Sequence, residues 1–295
     1  MKNYLKLLRV KHYIKNLLIF SALLFSGQLL DINKLKDCLI CFLVFCLVSS
    51  VIYIVNDIKD EDKDRLHPVK KDRPIASGRI SVRAAIITAI ICLVLASVLF
   101  AFIFNLTALI LIAVYIIINL LYSFGLKSVP LVDVTILVAG FLIRVLYGAA
   151  ITDIMVSNWL LLTVIALSFF MAFGKRRNEL KTMGSNDTRK VLKDYTVGFL
   201  DKSMYMCLAM ANTFYSLWAM STSADDKPEQ SKIITVPIVI LISLKYCLDI
   251  EKDTSNGDPT DVLFHDKSLI ILCLLYAVVM VVLLYTDTTA IFGGL

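Results

Sequence analysis

Histidine is scarce in this sequence, and several motifs that carry soluble enzyme chemistry are missing. The three histidines, His12, His67 and His265, have no obvious serine or cysteine nucleophile beside them. Neither the P-loop pattern GxxxxGK[ST] nor the dinucleotide-binding pattern GxGxxG occurs. We therefore expect neither a nucleophile–histidine triad nor a P-loop or Rossmann nucleotide site.

Polar linkers are missing as well, and charged residues make up only 18% of the chain. Hydrophobic residues make up 58%, and the mean hydropathy is +0.79, far above that of a soluble domain. We predict one membrane domain over residues 1–295. Its long apolar runs lack period-two alternation, which indicates helices rather than a barrel. The first residues show no small-residue cleavage site of a signal peptide, so we expect the first helix to direct insertion.

Cysteine spacing gives little support for a metal centre. Cys38 and Cys41 have the spacing of a zinc-ligand pair, but they lie in an apolar run without a second pair. We interpret the seven cysteines as small core residues. The net charge of +6 does not indicate nucleic-acid binding, because the basic residues gather in particular loops.

Apolar runs predict about nine transmembrane helices in an all-α integral membrane protein. Their approximate bounds are 16–30, 38–55, 82–104, 107–122, 131–150, 157–173, 200–221, 232–248 and 268–285. Lys and Arg concentrate in the N-terminal segment and after even-numbered spans. The positive-inside rule therefore places the N-terminus and these loops in the cytoplasm, and the C-terminus outside. We expect helix hairpins in the plasma membrane, arranged around a central cavity open to the cytoplasmic side.

A dense acidic segment follows the second apolar run. If its helix continues, Asp57, Asp60 and Asp64 share one face at i, i+3 and i+7, and Asn56 lies one turn before Asp60. Such carboxylates repel one another unless a cation neutralises them, and hard oxygen ligands suit Mg²⁺ with substrate phosphates. The basic residues that follow at once are Lys70, Lys71 and Arg73. This pattern predicts a magnesium–diphosphate site, with a solvated juxtamembrane loop as the alternative.

Polar residues also lie between the fourth and fifth predicted spans. Tyr122 offers a hydroxyl group at a helix end, and Lys127 lies close enough to the membrane to reach a phosphate. Asp133 opens the fifth span. It is interpreted either as a helix cap or as a ligand to a second metal or partner of a cation.

Two further basic sites lie within or at the end of predicted spans. Arg144 is deep in the fifth span, where an arginine needs an anionic partner or a wet cavity, so we assign it to the site or its surroundings. Gly140 and Gly148 on either side of it indicate close helix packing. Lys175 and Arg176 end the sixth span and are interpreted as a phosphate clamp or as a topology anchor.

These segments together resemble the UbiA superfamily of intramembrane prenyltransferases. The pattern Asn56-Asp57-x-x-Asp60-x-x-x-Asp64 after the second span carries that resemblance. Other segments are similar, more narrowly, to decaprenyl-phosphate phosphoribosyltransferases. They are Leu8-Arg9 with Lys15-Asn16, His67-Pro68-x-Lys70-x-x-Arg73-Pro74-Ile75-Ala76-Ser77-Gly78, Tyr122-Ser123-x-x-Leu126-Lys127, Gly140-Phe141-x-x-Arg144, Lys175-Arg176-x-x-Glu179-Leu180 and Asp258-Pro259-x-Asp261.

The resemblance implies transfer of 5-phosphoribose from phosphoribosyl diphosphate (PRPP) to a polyprenyl phosphate such as decaprenyl phosphate, with release of diphosphate. In the best-known cases the product supplies arabinose donors for cell-wall polymers. The implied Mg²⁺ ligands are Asn56, Asp57, Asp60 and Asp64, and the implied catalytic residues are the three aspartates with Lys127. The implied substrate-binding residues are Lys15, Asn16, Lys70, Arg73, Tyr122, Lys127, Asp133, Arg144, Lys175 and Arg176.

Two other functions remain open from the sequence. A UbiA-type aromatic prenyltransferase would use a polyprenyl diphosphate and an acceptor such as 4-hydroxybenzoate. Such relatives usually carry a second aspartate-rich motif after the fourth span, where this chain has only Asp133. A transporter would need charged residues or broken helices near the midplane of two halves, and only Arg144 meets that description.

Overall fold

The computed structural model describes residues 2–66, 70–183, 190–221, 232–251 and 266–286. Across these ranges the regular secondary structure is entirely helical, as predicted. The α-helices α1 to α11 are Lys2–Leu7, Ser21–Phe25, Ile32–Lys59, Glu61–Leu66, Val82–Ala101, Leu106–Phe124, Val132–Thr152, Asn158–Met183, Val197–Met220, Thr235–Ile250 and Lys267–Tyr285. The 3₁₀ segments are Val10–Phe20, Lys70–Asp72, Leu126–Ser128, Lys190–Asp194 and Lys232–Ile234.

Polar side chains fix the starts of several long helices. Each accepts a hydrogen bond from a backbone N–H of the first turn, a donor that otherwise has no intrahelical partner. The capping residues are Asp31 for α3, Ser81 for α5, Asn105 for α6, Thr196 for α9 and Asp266 for α11. The apolar helices therefore begin at polar residues that can remain near water while the following turns enter lipid.

Seven helices in the described ranges are long and apolar enough to cross a membrane, namely α3, α5, α6, α7, α8, α10 and α11. They correspond to seven of the predicted spans, which confirms a multi-pass membrane protein. The predicted span 200–221 is helical as well, but α9 falls outside this set. Polar residues such as Asp201, Lys202 and Asn212 lower its hydropathy. The predicted count of nine is thus not confirmed.

The predicted first span, 16–30, is not a continuous α-helix. An 11-residue 3₁₀ segment, Val10–Phe20, runs directly into the 5-residue α2. Runs of 3₁₀ helix longer than about 3–4 residues are uncommon, because their hydrogen-bond geometry is poor. This segment packs against α3. Hydropathy alone predicted the apolar run correctly but not its helical form.

Internal contacts divide the chain into two units. The first comprises residues 1–127 and 143–155, and the second comprises residues 128–142 and 156–295, so α7 contributes to both. In the first unit, α3 packs against α5, α6 and the 3₁₀ segment Val10–Phe20. In the second unit, α8 packs against α9, and α10 packs against α11. The predicted single domain, the central cavity and its cytoplasmic opening remain predictions.

Candidate active site

The acidic segment lies where α3 ends and α4 begins, in the first unit. Asp60 is the residue that follows the last turn of α3. Its backbone N–H donates to the Asn56 carbonyl oxygen at 3.0 Å, and the N–H of Asp64 donates to the Asp60 carbonyl oxygen at 2.8 Å. These i to i−4 bonds keep the backbone close to helical across the junction. The spacing that predicted a shared face for Asp57 and Asp64 is therefore preserved.

Asp57 and Asp64 share one cation. Nη1 of Arg73 lies 3.0 Å from Oδ1 of Asp57 and 2.6 Å from Oδ2 of Asp64. Both carboxylates are buried. Two buried carboxylates that both contact one arginine nitrogen would be strongly unfavourable without that cation, because removing each charge from water costs several kcal/mol. Two of the three aspartates predicted to share this face, Asp57 and Asp64, thus meet at Arg73, and the third, Asp60, does not join them.

Arg9 is a second cation on Asp57, and the sequence reasoning did not include it in the site. Its Nη2 atom lies 2.5 Å from Oδ1 of Asp57, and its guanidinium lies 4.7 Å from the ring centroid of Tyr53. The backbone of Arg9 is left-handed, with φ of 52°. That conformation costs a non-glycine residue roughly 1–2 kcal/mol. The signal that could have identified Arg9 was the Leu8-Arg9 pair of the resemblance.

Lys127 pairs with Asp60. Its Nζ atom lies 2.9 Å from Oδ1 and 2.6 Å from Oδ2 of that carboxylate. The lysine lies on the 3₁₀ turn that follows Gly125, whose φ of 153° favours glycine. The pair is partly exposed, so it contributes little to stability, and its main consequence is to place two predicted catalytic residues side by side.

Asn56 joins α3 to the end of α6. Its Oδ1 atom accepts a hydrogen bond from the Ser123 hydroxyl at 3.0 Å. Lys59 donates to the Ser123 carbonyl oxygen at 2.8 Å and lies 3.6 Å from the ring centroid of Phe124. In this structure the side chain of Asn56, predicted as a metal ligand, therefore serves to connect two helices.

The four predicted metal ligands are not assembled around one point. Among the described residues, no group of three or more His, Cys, Asp or Glu side chains is placed to hold a metal ion. The reason is that Asp57 and Asp64 turn to Arg73 while Asp60 turns to Lys127. The donor set still fits Mg²⁺, which commonly takes one or two carboxylates and completes its shell with water and substrate phosphates. One arginine nitrogen already lies between two of these carboxylates, so both can reach one cation.

Arg144 and Asn16, which the sequence assigned separately to substrate binding, contact each other in the first unit. Nε of Arg144 donates to Oδ1 of Asn16 at 2.8 Å, and Nη2 donates to the Tyr115 hydroxyl at 3.2 Å. The guanidinium also lies 4.8 Å from the ring centroid of Phe45. Arg144 and Asn16 are both buried. Polar groups and aromatic faces thus surround this intramembrane arginine, and the contacts attach the 3₁₀ segment to α6 and α7.

Gly148 permits the close approach of that segment to α7. A Cβ atom at this position would lie 2.0 Å from the Ile19 carbonyl oxygen and 2.9 Å from the Ile19 carbonyl carbon. Both are backbone atoms, so no side-chain rotation relieves the overlap. The close helix packing predicted for Gly148 is present, and its partner is the 3₁₀ segment.

Asp133 and Arg176 form a buried ion pair in the second unit. Nε of Arg176 lies 2.6 Å from Oδ2 of Asp133, and Nη1 lies 2.9 Å from Oε2 of Glu179. The Tyr195 hydroxyl donates to Oδ1 of Asp133 at 2.7 Å and accepts from the Leu131 N–H at 2.7 Å. Burial is the main reason that the pKa of Tyr195 rises to about 12, so the hydroxyl remains a donor at neutral pH. The structure gives Asp133 a cation partner, one of its predicted roles, and uses Arg176 in a structural pair rather than a phosphate clamp.

The remaining predicted substrate-binding residues lie half-buried on helical segments. Lys15 is in the 3₁₀ segment, Tyr122 is in the last turn of α6, and Lys70 begins the short turn before Arg73. Lys175 precedes Arg176 on α8, in the second unit. The resembling residues His67-Pro68 and Asp258-Pro259-x-Asp261 lie outside the described ranges.

Fold and site together define an all-helical, multi-pass membrane protein with a carboxylate and arginine cluster at the end of a membrane helix. The family model described as the UbiA prenyltransferase family matches residues 17–224. The chain is 35% identical to a decaprenyl-phosphate phosphoribosyltransferase of Corynebacterium glutamicum, covering 95% of this chain and 86% of the relative. It is also 35% identical to one of Mycolicibacterium smegmatis, covering 92% and 88%. This chain belongs to the UbiA prenyltransferase family.

Solved structures show the same fold. A UbiA homolog from Archaeoglobus fulgidus bound to GPP and Mg²⁺ matches with a TM-score of 0.72 and 21% identity, over 96% of this chain and 99% of that one. An apo UbiA homolog from Aeropyrum pernix K1 matches with a TM-score of 0.63 and 18% identity, over 91% and 98%. The likeness at this identity concerns the helical fold.

Proposed function

We propose that the protein transfers 5-phosphoribose from PRPP to a polyprenyl phosphate such as decaprenyl phosphate, releasing diphosphate in a Mg²⁺-dependent reaction. The observation that carries the proposal is the 35% identity to decaprenyl-phosphate phosphoribosyltransferases over more than nine-tenths of this chain. The cluster in the first unit supports it, because carboxylates for a metal and cations for phosphates lie in direct contact there.

Asp57 and Asp64 are the residues that would hold Mg²⁺, with Asp60 beside them. When bound, the ion neutralises diphosphate charge and makes diphosphate a better leaving group. Arg73 and Lys127 bind phosphate oxygens and hold the donor in place, a task for which two basic groups at fixed positions are suited. Lys15, Lys70 and Tyr122 remain proposed substrate contacts in the first unit, and Lys175 of the second unit remains a separate proposed substrate-binding residue.

In the transfer step, the bond between the anomeric carbon and the diphosphate oxygen breaks, and its electron pair leaves with diphosphate. A bond forms between the same carbon and an oxygen of the lipid phosphate, through an oxocarbenium-like state. The attacking oxygen is already ionised near neutral pH. No general base is therefore needed, which agrees with the small number of histidines in the chain.

Arg144 and Asn16 act as positioning residues in this proposal. Their hydrogen bond holds the 3₁₀ segment that carries Lys15. The predicted first span, 16–30, which contains the end of this segment and all of α2, counts toward the nine membrane crossings of the proposal. The helix α9 is the other additional crossing. In the proposal the protein lies in the plasma membrane, and the N-terminus and the central cavity that contains the site face the cytoplasm. The C-terminus faces outside.

A donor competition assay tests the proposal. Protein in detergent receives Mg²⁺ with labelled PRPP and a polyprenyl phosphate, or with a labelled prenyl diphosphate and 4-hydroxybenzoate. We expect a labelled lipid product only from the first pair. Product from the second pair alone would instead make the protein an aromatic prenyltransferase.

A further inference from the structure

Two buried carboxylates of the candidate site already hold internal cations. Oδ1 of Asp57 accepts from both Arg9 and Arg73, at 2.5 and 3.0 Å, and Arg73 also holds Asp64 at 2.6 Å. The arginines thus occupy Oδ1 of Asp57 and Oδ2 of Asp64, two of the oxygens that could bind a divalent ion. Since like charges repel at such distances, the guanidinium groups and a metal ion compete for these carboxylates.

The arginines differ from the aspartates in their exposure. The side chains of Arg9 and Arg73 are 18% and 26% exposed, while that of Asp57 is 3% exposed. The arginine side chains can therefore turn toward an incoming anion, whereas the buried carboxylate of Asp57 cannot turn into water. Diphosphate offers oxygens that guanidinium groups bind well, often through two parallel hydrogen bonds.

Tyr53 gives Arg9 a position from which to make that exchange. The guanidinium lies 4.7 Å from the ring centroid, and Tyr53 is one helical turn before Asp57 on α3. A cation held over an aromatic face keeps part of its stabilisation while its anionic partner changes. The left-handed backbone at Arg9, φ 52°, directs the residue back toward α3 from the start of the 3₁₀ segment.

We propose that Arg9 and Arg73 are displaceable counter-cations, which hold Asp57 and Asp64 in the free protein and move to phosphate oxygens when a metal–diphosphate complex binds. Arg9 is thereby a further substrate-binding residue of the reaction. The consequence is that the carboxylates bind a divalent ion well only together with a diphosphate. This inference rests on the proposed function and describes how the same site selects its ligand.

Binding of Mn²⁺, followed by electron paramagnetic resonance with and without pyrophosphate, tests the inference in the full-length protein. In the wild type we expect pyrophosphate to tighten Mn²⁺ binding at least about tenfold, within the usual range of coupling between ligands. In Arg9→Gln, Mn²⁺ alone should bind about tenfold more tightly than in the wild type, and pyrophosphate should add much less. Asp57 keeps Arg73 in this variant, so the site retains one internal cation.

Two matched variants make the result specific. Arg9→Lys keeps the charge and should bind free Mn²⁺ as weakly as the wild type. Arg79→Gln removes a neighbouring arginine that pairs with the exposed Asp72 at 3.8 Å, and it should leave both affinities unchanged. Equal affinity of Arg9→Gln and wild type for free Mn²⁺ would overturn the inference.

If Arg9→Gln does not fold, the wild-type measurement alone tests the inference. A wild-type affinity for Mn²⁺ that does not depend on pyrophosphate would overturn the inference. Failure of the proposed function looks different: the Mn²⁺ and pyrophosphate pattern would be present, but no label would pass from PRPP to the lipid. Turnover of PRPP with unaltered Mn²⁺ binding in Arg9→Gln would reject the counter-cation role alone.

Discussion

The aspartate and arginine cluster of the first unit differs from that of the second unit in how far its cation is enclosed. In the first, Arg73 holds Asp57 and Asp64 with 26% of its side chain exposed. In the second, Arg176 and Asp133 are both 0% exposed. Water and a charged ligand can reach Arg73, but the pair in the second unit is closed by the protein around it.

This difference separates a binding role from a structural one. A partly exposed cation can change partners at a lower cost than a fully buried one, because water screens part of its charge during the exchange. A fully buried pair cannot, since breaking it leaves an uncompensated charge in a low-dielectric interior. Mutations in the first cluster should therefore reduce activity in a folded protein, and mutations in the second should reduce stability.

The largest effect should come from Asp60→Ala in the first cluster. Asp60 is partly exposed and pairs with Lys127, so its removal should leave the fold intact. We expect the rate of transfer from labelled PRPP to fall by at least about a hundredfold, because an interaction with the metal–diphosphate is removed from the transition state.

The matched control for this change is Asp62→Ala. Asp62 lies two residues later, in the short helix α4, but is exposed. Its replacement should keep the wild-type rate. Wild-type turnover in Asp60→Ala, or an equal loss in both variants, would contradict the assignment of Asp60 to the site.

In the second cluster, Arg176→Gln should reduce the stability of the protein rather than its activity. The change leaves Asp133 buried without its cation, which typically costs about 3–5 kcal/mol. We expect a large drop in unfolding temperature measured in detergent. Protein that remains folded at low temperature should retain its KM for PRPP.

The double variant Asp133→Asn with Arg176→Gln distinguishes a buried pair from general damage. It removes both charges, so it should be more stable than Arg176→Gln alone. A stable Arg176→Gln protein with a raised KM for PRPP would instead return Arg176 to the phosphate-binding role that the sequence suggested.

Gly148→Ala, in the first unit, should also reduce stability. The added Cβ would lie 2.0 Å from the Ile19 carbonyl oxygen, so the 3₁₀ segment must shift. We expect a loss of about 1–3 kcal/mol in stability, as for other overpacked sites. Gly198→Ala is the control, since a Cβ at Gly198 meets nothing within 4 Å. Equal unfolding temperatures for the two variants would contradict the close approach.

Local sequence patterns accounted for the parts of the site that lie close together in the chain. The helical spacing predicted that Asp57, Asp60 and Asp64 share one face. Asp57 and Asp64 do meet at Arg73, because an i, i+7 pair lies on one face whatever the tertiary fold, but Asp60 pairs with Lys127 instead. Of the nine spans that the apolar runs predicted, seven correspond to membrane helices of the described structure. In both cases the deciding physics acts within a few turns of one helix.

Long-range pairing accounts for what the sequence did not reveal. Arg9 is 48 positions from Asp57, and Arg176 is 43 positions from Asp133. Charge alone could not show that Arg9 belongs to the site, nor that Arg176 belongs to a structural pair. The 3₁₀ form of Val10–Phe20 also escaped prediction, because hydropathy reports apolar character and not the number of residues per turn.

The smallest effect should come from Tyr195→Phe, which tests how completely the second cluster is closed to water. Its hydroxyl donates to Asp133 and accepts from the N–H of Leu131, whose φ of 64° is unusual for leucine. Loss of the hydroxyl should cost about 1 kcal/mol, because Asp133 loses one donor but keeps Arg176.

The pH dependence of that cost has a definite sign. The pKa of Tyr195 is raised from 10.0 to about 12 by burial, so the folded state keeps the proton more tightly than the unfolded state. The stabilisation is therefore complete below pH 10 and disappears as the pH rises towards 12. We expect the difference in unfolding temperature between wild type and Tyr195→Phe to be constant from pH 7 to about pH 9 and to shrink above pH 10. A difference that stays constant from pH 9 to about pH 11 would mean that the pKa of this hydroxyl is not raised by burial, and that the second cluster is no more closed to water than the first.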